Sequence, residues 1–142
     1  MIQQIRAEKA AEILKTKGAA YLDVRTEPEF QQGHAVGAYN IPAFFFDASR
    51  RPVPNPDFEA IVRKALPPGT TLVVGCQSGV RSQRASEALE RLGYAALHNL
   101  EGGFGGARSP QGDVVAGWKD SGLPVETGDG GDRSYAALKK NA

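Results

Sequence analysis

The stretch from Thr70 to Leu92 constrains the chain more than any other. Thr70-Thr71-Leu72-Val73-Val74-Gly75 is a short, apolar, strand-like run. Six residues follow as a loop, Cys76-Gln77-Ser78-Gly79-Val80-Arg81, and Ser82 then starts a helix-like stretch, Gln83 to Leu92, with Gly93 as its cap. A strand feeding a helix through a short loop belongs to α/β architectures, in which parallel strands are joined by helical crossovers.

The rest of the chain repeats this alternation. Residues 6–17 read as a helix with Ala10, Ile13 and Leu14 at helical spacing and Gly18 as its stop. Residues 21–24 form a short buried strand. Glu27-Pro28-Glu29-Phe30 forms one helical turn, with Pro28 where its missing N–H costs little. Residues 37–42 form a second short strand stopped by Pro42. Residues 43–56 read as loop, with Phe44, Phe45 and Phe46 as buried loop anchors. A helix is expected over 57–66, broken by Pro67-Pro68-Gly69, and a last strand near 94–100. The expected architecture is a mostly parallel sheet with helices, in which ligands bind outside the carboxyl ends of the strands. Cys76 stands at such an end.

The formal net charge of +1 supplies no argument for a nucleic-acid or membrane partner, so an anion preference must come from local geometry. The single cysteine precludes an internal disulfide and implies no oxidising compartment. Residues 1–8 lack a signal-peptide core, and no run approaches a membrane span, so a cytoplasmic protein is expected. His34, His98 and Cys76 lack metal-ligand spacing, and neither a metal site nor a cofactor is expected. Gly102-Gly103 and Gly105-Gly106 do not form a dinucleotide fingerprint.

A lone cysteine is usually a small core residue. Here it sits between a strand end and a helix start, where N–H groups point outward and partial positive charge collects, a setting that favours the reactive thiolate. Gly79 allows successive N–H groups to converge into a nest, and Arg81 closes the loop with a fixed cation. The residues thus describe a nucleophilic sulfur in an anion cradle, with Cys76 as nucleophile and Gln77, Ser78, Gly79, Val80, Arg81 and Ser82 as its substrate-binding ring.

These motifs resemble those of a known family. Tyr21-Leu22-Asp23-Val24-Arg25, Glu29-Phe30 and Gly33-His34-Ala35-Val36-Gly37-Ala38-Tyr39-Asn40-Ile41-Pro42 resemble the first signature of rhodanese domains. Cys76 to Ser82 resembles their active-site loop, and Leu100-Glu101-Gly102-Gly103-Phe104, Trp118 and Gly122-Leu123-Pro124 resemble later segments. The resemblance is nearest to the small single-domain thiosulfate sulfurtransferases of plants and bacteria. It implies a three-layer fold, a five-stranded mostly parallel sheet flanked by helices, over a domain spanning residues 1–126. A Gly/Asp-rich linker and short tail, 127–142, is expected to come after it and to be mobile over 127–133. The resemblance also implies transfer of a sulfane sulfur from thiosulfate or another persulfide donor, through a Cys76 persulfide, to a thiol, cyanide or protein acceptor. A monomer or homodimer is expected.

Two departures stand out. Gln77 occupies a position where many sulfurtransferases carry Arg or Lys, and residues 107–117 are an insertion before Trp118. Among the remaining polar residues, Asp23 and Arg25 read as an architectural ion pair and cap, with Arg25 reaching Glu29 and Asp23 bonding loop N–H groups. His34 reads as a structural hydrogen-bonding residue, His98 as uninvolved, and Trp118 as core. Two other functions compete. A Cys–Arg-loop phosphatase or arsenate reductase has five residues between Cys and Arg, whereas this chain has four. A binding or regulatory module would use the same fold without turnover.

Overall fold

A computed structural model describes residues 1–142. In chain order the elements are β1 (Ile2–Ile5), α1 (Ala7–Thr16), β2 (Ala20–Asp23), α2 (Glu27–Gln32), β3 (His34–Ala35), β4 (Tyr39–Asn40), β5 (Phe44–Phe46), β6 (Pro52–Pro54), α3 (Phe58–Ala65), β7 (Leu72–Gly75), α4 (Val80–Arg91), β8 (Leu97–Leu100), β9 (Ala107–Arg108), β10 (Val114–Val115), β11 (Val125–Glu126) and α5 (Tyr135–Lys140). Five of the strands make one sheet in the order β1-β8-β7-β2-β4, and every pairing in it is parallel. The expected five-stranded parallel sheet is thus present.

Strand alternation sends neighbouring residues to opposite faces, and both faces are covered. Leu22, Val24, Leu72 and Val74 join Ile61, Val62, Ala85 and Leu89 from α3 and α4 in one core. Tyr21 and Val73 join Ala10 and Ile13 of α1, Phe30 of α2, and Trp118 in the other. That is why β7 reads as an unbroken apolar run. α2 starts with a capping box, Thr26 with Glu29, and carries Pro28 in its first turn.

Several expectations change. Residues 2–5, for which the sequence pattern predicts no element, form an edge strand, because Leu97–Leu100 offers them a parallel partner. Phe44–Phe46 is not a buried anchor: it pairs antiparallel with Pro52–Pro54, leaving Phe45 36% and Phe46 46% exposed. Insertion 107–117 folds as a small hairpin, β9 against β10. Residues 127–133, expected to be mobile, and the short tail after them, where Tyr135–Lys140 forms α5, lie against the domain. Gly128 N–H donates to Gln31 O at 2.9 Å, Ser134 caps α5 through Ala137 N–H at 3.2 Å, and Tyr135 is buried, its hydroxyl accepting from Asn55 Nδ2 at 3.1 Å.

Candidate active site

β7 is the middle strand, and the chain leaves its carboxyl end directly into Cys76. Gly79 then adopts φ 111°, a left-handed conformation, and becomes the residue before α4. This turn starts the helix at Val80 rather than at Ser82. Arg81 and Ser82, expected in the loop and at its end, therefore occupy the first helical turn.

Cys76 is 1% exposed, and its Sγ accepts the Gly79 N–H at 3.1 Å. No turn carbonyl or side chain takes the N–H groups of Gln77, Ser78, Val80, Arg81 or Ser82, and the first turn of a helix leaves its own amides unpaired. One loop amide therefore bonds the sulfur, and its neighbours are left without an acceptor in the chain. The loop is held from behind by the 102–105 segment: Phe104 N–H donates to Cys76 O at 2.8 Å and Gly105 N–H to Gln77 O at 2.9 Å. Gly103, at φ 56°, sits so close that a Cβ there would overlap the backbone of Cys76 and Gln77. In the sequence this glycine pair stands out only as a resemblance. Its physical purpose is close backbone approach.

The expected ring residues separate into three groups. Gly79 donates its N–H to the sulfur, and Gln77, Ser78 and Val80 carry loop amides with no acceptor in the chain. Ser82 is fully buried and donates its hydroxyl to Asn99 Oδ1 at 2.5 Å, so it ties α4 to β8. Arg81 turns to Glu29, donating from Nη1 and Nη2 at 2.8 and 2.9 Å, with its guanidinium over the Phe46 ring. The hydrogen bonds and charge of Glu29 raise the Arg81 pKa. Burial alone would push the Glu29 carboxyl up, but Arg81 outweighs it, helped by Thr26, and holds that carboxyl at about 2.

The expected Arg25–Glu29 contact is replaced. Arg25, 2% exposed, forks onto Asp23 with Nε at 3.0 Å and Nη2 at 2.8 Å. Its Nη2 also donates to Gly33 O and its Nη1 to Gln77 Oε1 at 3.2 Å. Asp23 bonds the backbone N–H of Arg25 rather than loop amides near the cysteine. The reason is local: residues two apart on a strand share a face, and a buried guanidinium takes the nearest carboxylate. Burial works to lower the Arg25 pKa, and the hydrogen bonds and charge of Asp23 reverse this and raise it.

His34 is structural: it stacks on Phe30 at 3.7 Å between centroids, with Nδ1 2.8 Å from Phe30 O and Nε2 3.2 Å from Glu126. His98 Nδ1 lies 3.1 Å from Leu72 O, within the sheet. Trp118 is core, its Nε1 donating to Pro124 O. Tyr21 packs its ring against Gly75, and its buried hydroxyl has no partner in the chain. Burial, then the charge of Asp23, pushes its pKa well above the ordinary tyrosine value.

Two cavities flank the loop. One of about 650 Å³ lies between Ser78–Val80 and the β9–β10 hairpin, reaching Arg6, Arg108 and Gln111. The other, about 360 Å³, lies on the Gln77 side. Phe104 and Lys119, which line this second cleft, carry no mark in the sequence that identifies them as site residues.

The sequence profile described as "Rhodanese-like domain" matches residues 6–109. The chain is 38% identical over 109 residues to thiosulfate sulfurtransferase 16, chloroplastic, of Arabidopsis thaliana, covering 77% of this chain and 81% of that one. It is 35% identical over 119 residues to thiosulfate sulfurtransferase 18 of the same plant, covering 82% and 79%. Among solved structures it resembles that of Rv0390 from M. tuberculosis, with a TM-score of 0.71 and 26% identity, covering 89% of this chain and 98% of that one.

Proposed function

The chain belongs to the rhodanese-like domain family, and from that premise we propose that it is a thiosulfate sulfurtransferase that carries sulfur as a persulfide on Cys76. In the first half-reaction the Cys76 thiolate attacks the outer sulfur of thiosulfate. The Sγ–S bond forms as the S–S bond of thiosulfate breaks, and its electron pair leaves on sulfite. In the second, a thiol, cyanide or protein cysteine bonds to the outer sulfur, and the Sγ–S pair returns to Cys76. The chain has no second cysteine to accept the sulfur, so the acceptor comes from outside and the kinetics are ping-pong.

The observation that carries this reading is the run of unpaired loop amides directly after Cys76, with Gly79 N–H already donating to Sγ at 3.1 Å. The outer sulfur of a persulfide is anionic and would extend from Sγ into donors fixed in advance, which is where preorganised dipoles act most strongly. Cys76 is 1% exposed, which favours a donor that presents a single terminal sulfur, as thiosulfate does. In this reading Gln77, Ser78, Gly79, Val80, Arg81 and Ser82 contribute backbone N–H groups. The Arg81 side chain holds the rim through Glu29. The partners are small sulfur donors and acceptors, the working unit is a monomer or homodimer, and the compartment is cytoplasmic and reducing.

The test is the intact mass of the purified protein after incubation with thiosulfate. The expected outcome is a gain of one sulfur atom on the wild type, discharged by cyanide or a thiol, and no gain on Cys76→Ser. Absence of a gain from thiosulfate and from other persulfide donors would leave the non-catalytic module as the better description.

A further inference from the structure

If Cys76 takes sulfur from thiosulfate, one charge is unaccounted for, and the subsite inferred from that charge rests on the sulfurtransferase reading. Thiosulfate is a dianion, yet the two guanidinium groups beside Cys76 are already committed. Arg81 spends both Nη groups on Glu29, and Arg25 is forked onto the buried Asp23. Gln77, directly after the cysteine, is neutral, and its side-chain oxygen is occupied by Arg25. The cation left on this side is Lys119. Its only carboxylate contact is Asp120 at 3.3 Å, with both side chains about half exposed, an arrangement that offsets little charge.

Lys119 lines the 360 Å³ cleft together with Arg25, Glu29, Gln32, Gln77 and Phe104. It is tied to the cysteine through two backbone rungs, Lys119 N–H to Phe104 O at 3.1 Å and Phe104 N–H to Cys76 O at 2.8 Å. Arg25 adds a second donor. Of its five N–H groups, four are matched by Asp23, Gly33 and Gln77, and one on Nη1 has no acceptor in the chain. A five-atom oxyanion needs the room of about three waters, ~90 Å³, which the cleft exceeds. Glu29 does not repel it in full, because Arg81 neutralises that carboxylate.

We propose that this cleft is the oxyanion subsite of the sulfur donor. The Lys119 ammonium and the free Nη1 N–H of Arg25 hold the sulfite half of thiosulfate while its outer sulfur meets Cys76, and sulfite departs through the same cleft. Lys119, borne on the 3-10 turn Trp118–Asp120, supplies the positive charge that the loop lacks at Gln77, and selects sulfoxy anions over neutral donors.

The experiment measures the rate at which thiosulfate loads Cys76, by intact mass, in the wild type, Lys119→Gln and Lys119→Arg at low and high salt. Lys119→Gln should load roughly fivefold more slowly at low ionic strength, Lys119→Arg should stay near wild type, and the gap should close at high salt as the charge is screened. Equal low-salt rates would overturn the subsite, as would a defect that ignores salt or that arginine fails to rescue. If thiosulfate loads not even the wild type, the sulfurtransferase reading is what has failed. Sulfite titrated calorimetrically into the unloaded proteins then decides the subsite. Binding weakened about fivefold in Lys119→Gln supports it, and equal or absent binding overturns it.

Discussion

Glu29 is the residue on which the rim of the site depends. Its carboxyl is held at about 2 against an ordinary 4.5, so the folded state prefers it charged. That preference stabilises the fold above pH ~4.5, where the unfolded chain is also ionised, and is lost as pH falls toward 2. That difference of about 2.5 corresponds to about 3 kcal/mol before screening, and the half-open position reduces this to roughly 1–2 kcal/mol. Urea unfolding of wild type and Glu29→Gln should therefore differ by that amount at pH 6 and converge only as pH falls to about 2 and below. Tyr21 poses the opposite case. Its hydroxyl is buried without a partner, so Tyr21→Phe removes a desolvated group and loses no bond. The variant should match or exceed the wild type in stability by up to about 1 kcal/mol, with its sulfur-loading rate as a control on the site.

At the scale of elements, the loop between β7 and α4 stands on two glycines with different duties. Gly79 needs its left-handed φ of 111°, so Gly79→Ala should cost about 1–2 kcal/mol in strain alone. Gly103 combines φ 56° with backbone neighbours that have no side chain to swing away. Gly103→Ala should cost more than about 2 kcal/mol and slow sulfur loading by shifting the loop, measured by denaturation and intact mass on one sample. Much of this element is legible in the sequence. The apolar run 70–75, the lone cysteine and the helix ending at Gly93 announce a strand, a loop and a helix, because burial on both faces and helical spacing leave marks in the sequence itself. Features that depend on partners distant in the chain stay hidden. Ile2–Ile5 is a strand only because Leu97–Leu100 lies beside it. The choice of Glu29 for Arg81 and of Asp23 for Arg25 is a matter of three-dimensional proximity that spacing cannot rank. Lys119 is invisible for the same reason: its cleft exists only once residues 25, 77 and 104 have been brought together.

For the whole molecule, the tail is part of the fold. Tyr135 is 5% exposed and fills the core shared with α3 and α4. Tyr135→Ala should lower stability by about 3 kcal/mol, and truncation after Glu126 by more, visible as a shift of the urea midpoint. The Gly/Asp composition of 127–133 conceals this, since it marks the path of the chain and says nothing of the docking residue beyond it. Sheet order carries a consequence for how the protein comes into being. The edge strand β1 precedes its sole sheet neighbour, β8, by 95 positions (Ile2 against Leu97). At ribosomal speeds of ~5–20 residues per second, the nascent strand waits roughly 5–20 s for the partner that completes it. Throughout that interval residues 2–5 have no sheet to join, and Gln3 and Gln4, polar residues between the two isoleucines, keep the segment from being a continuous apolar ribbon open to other chains.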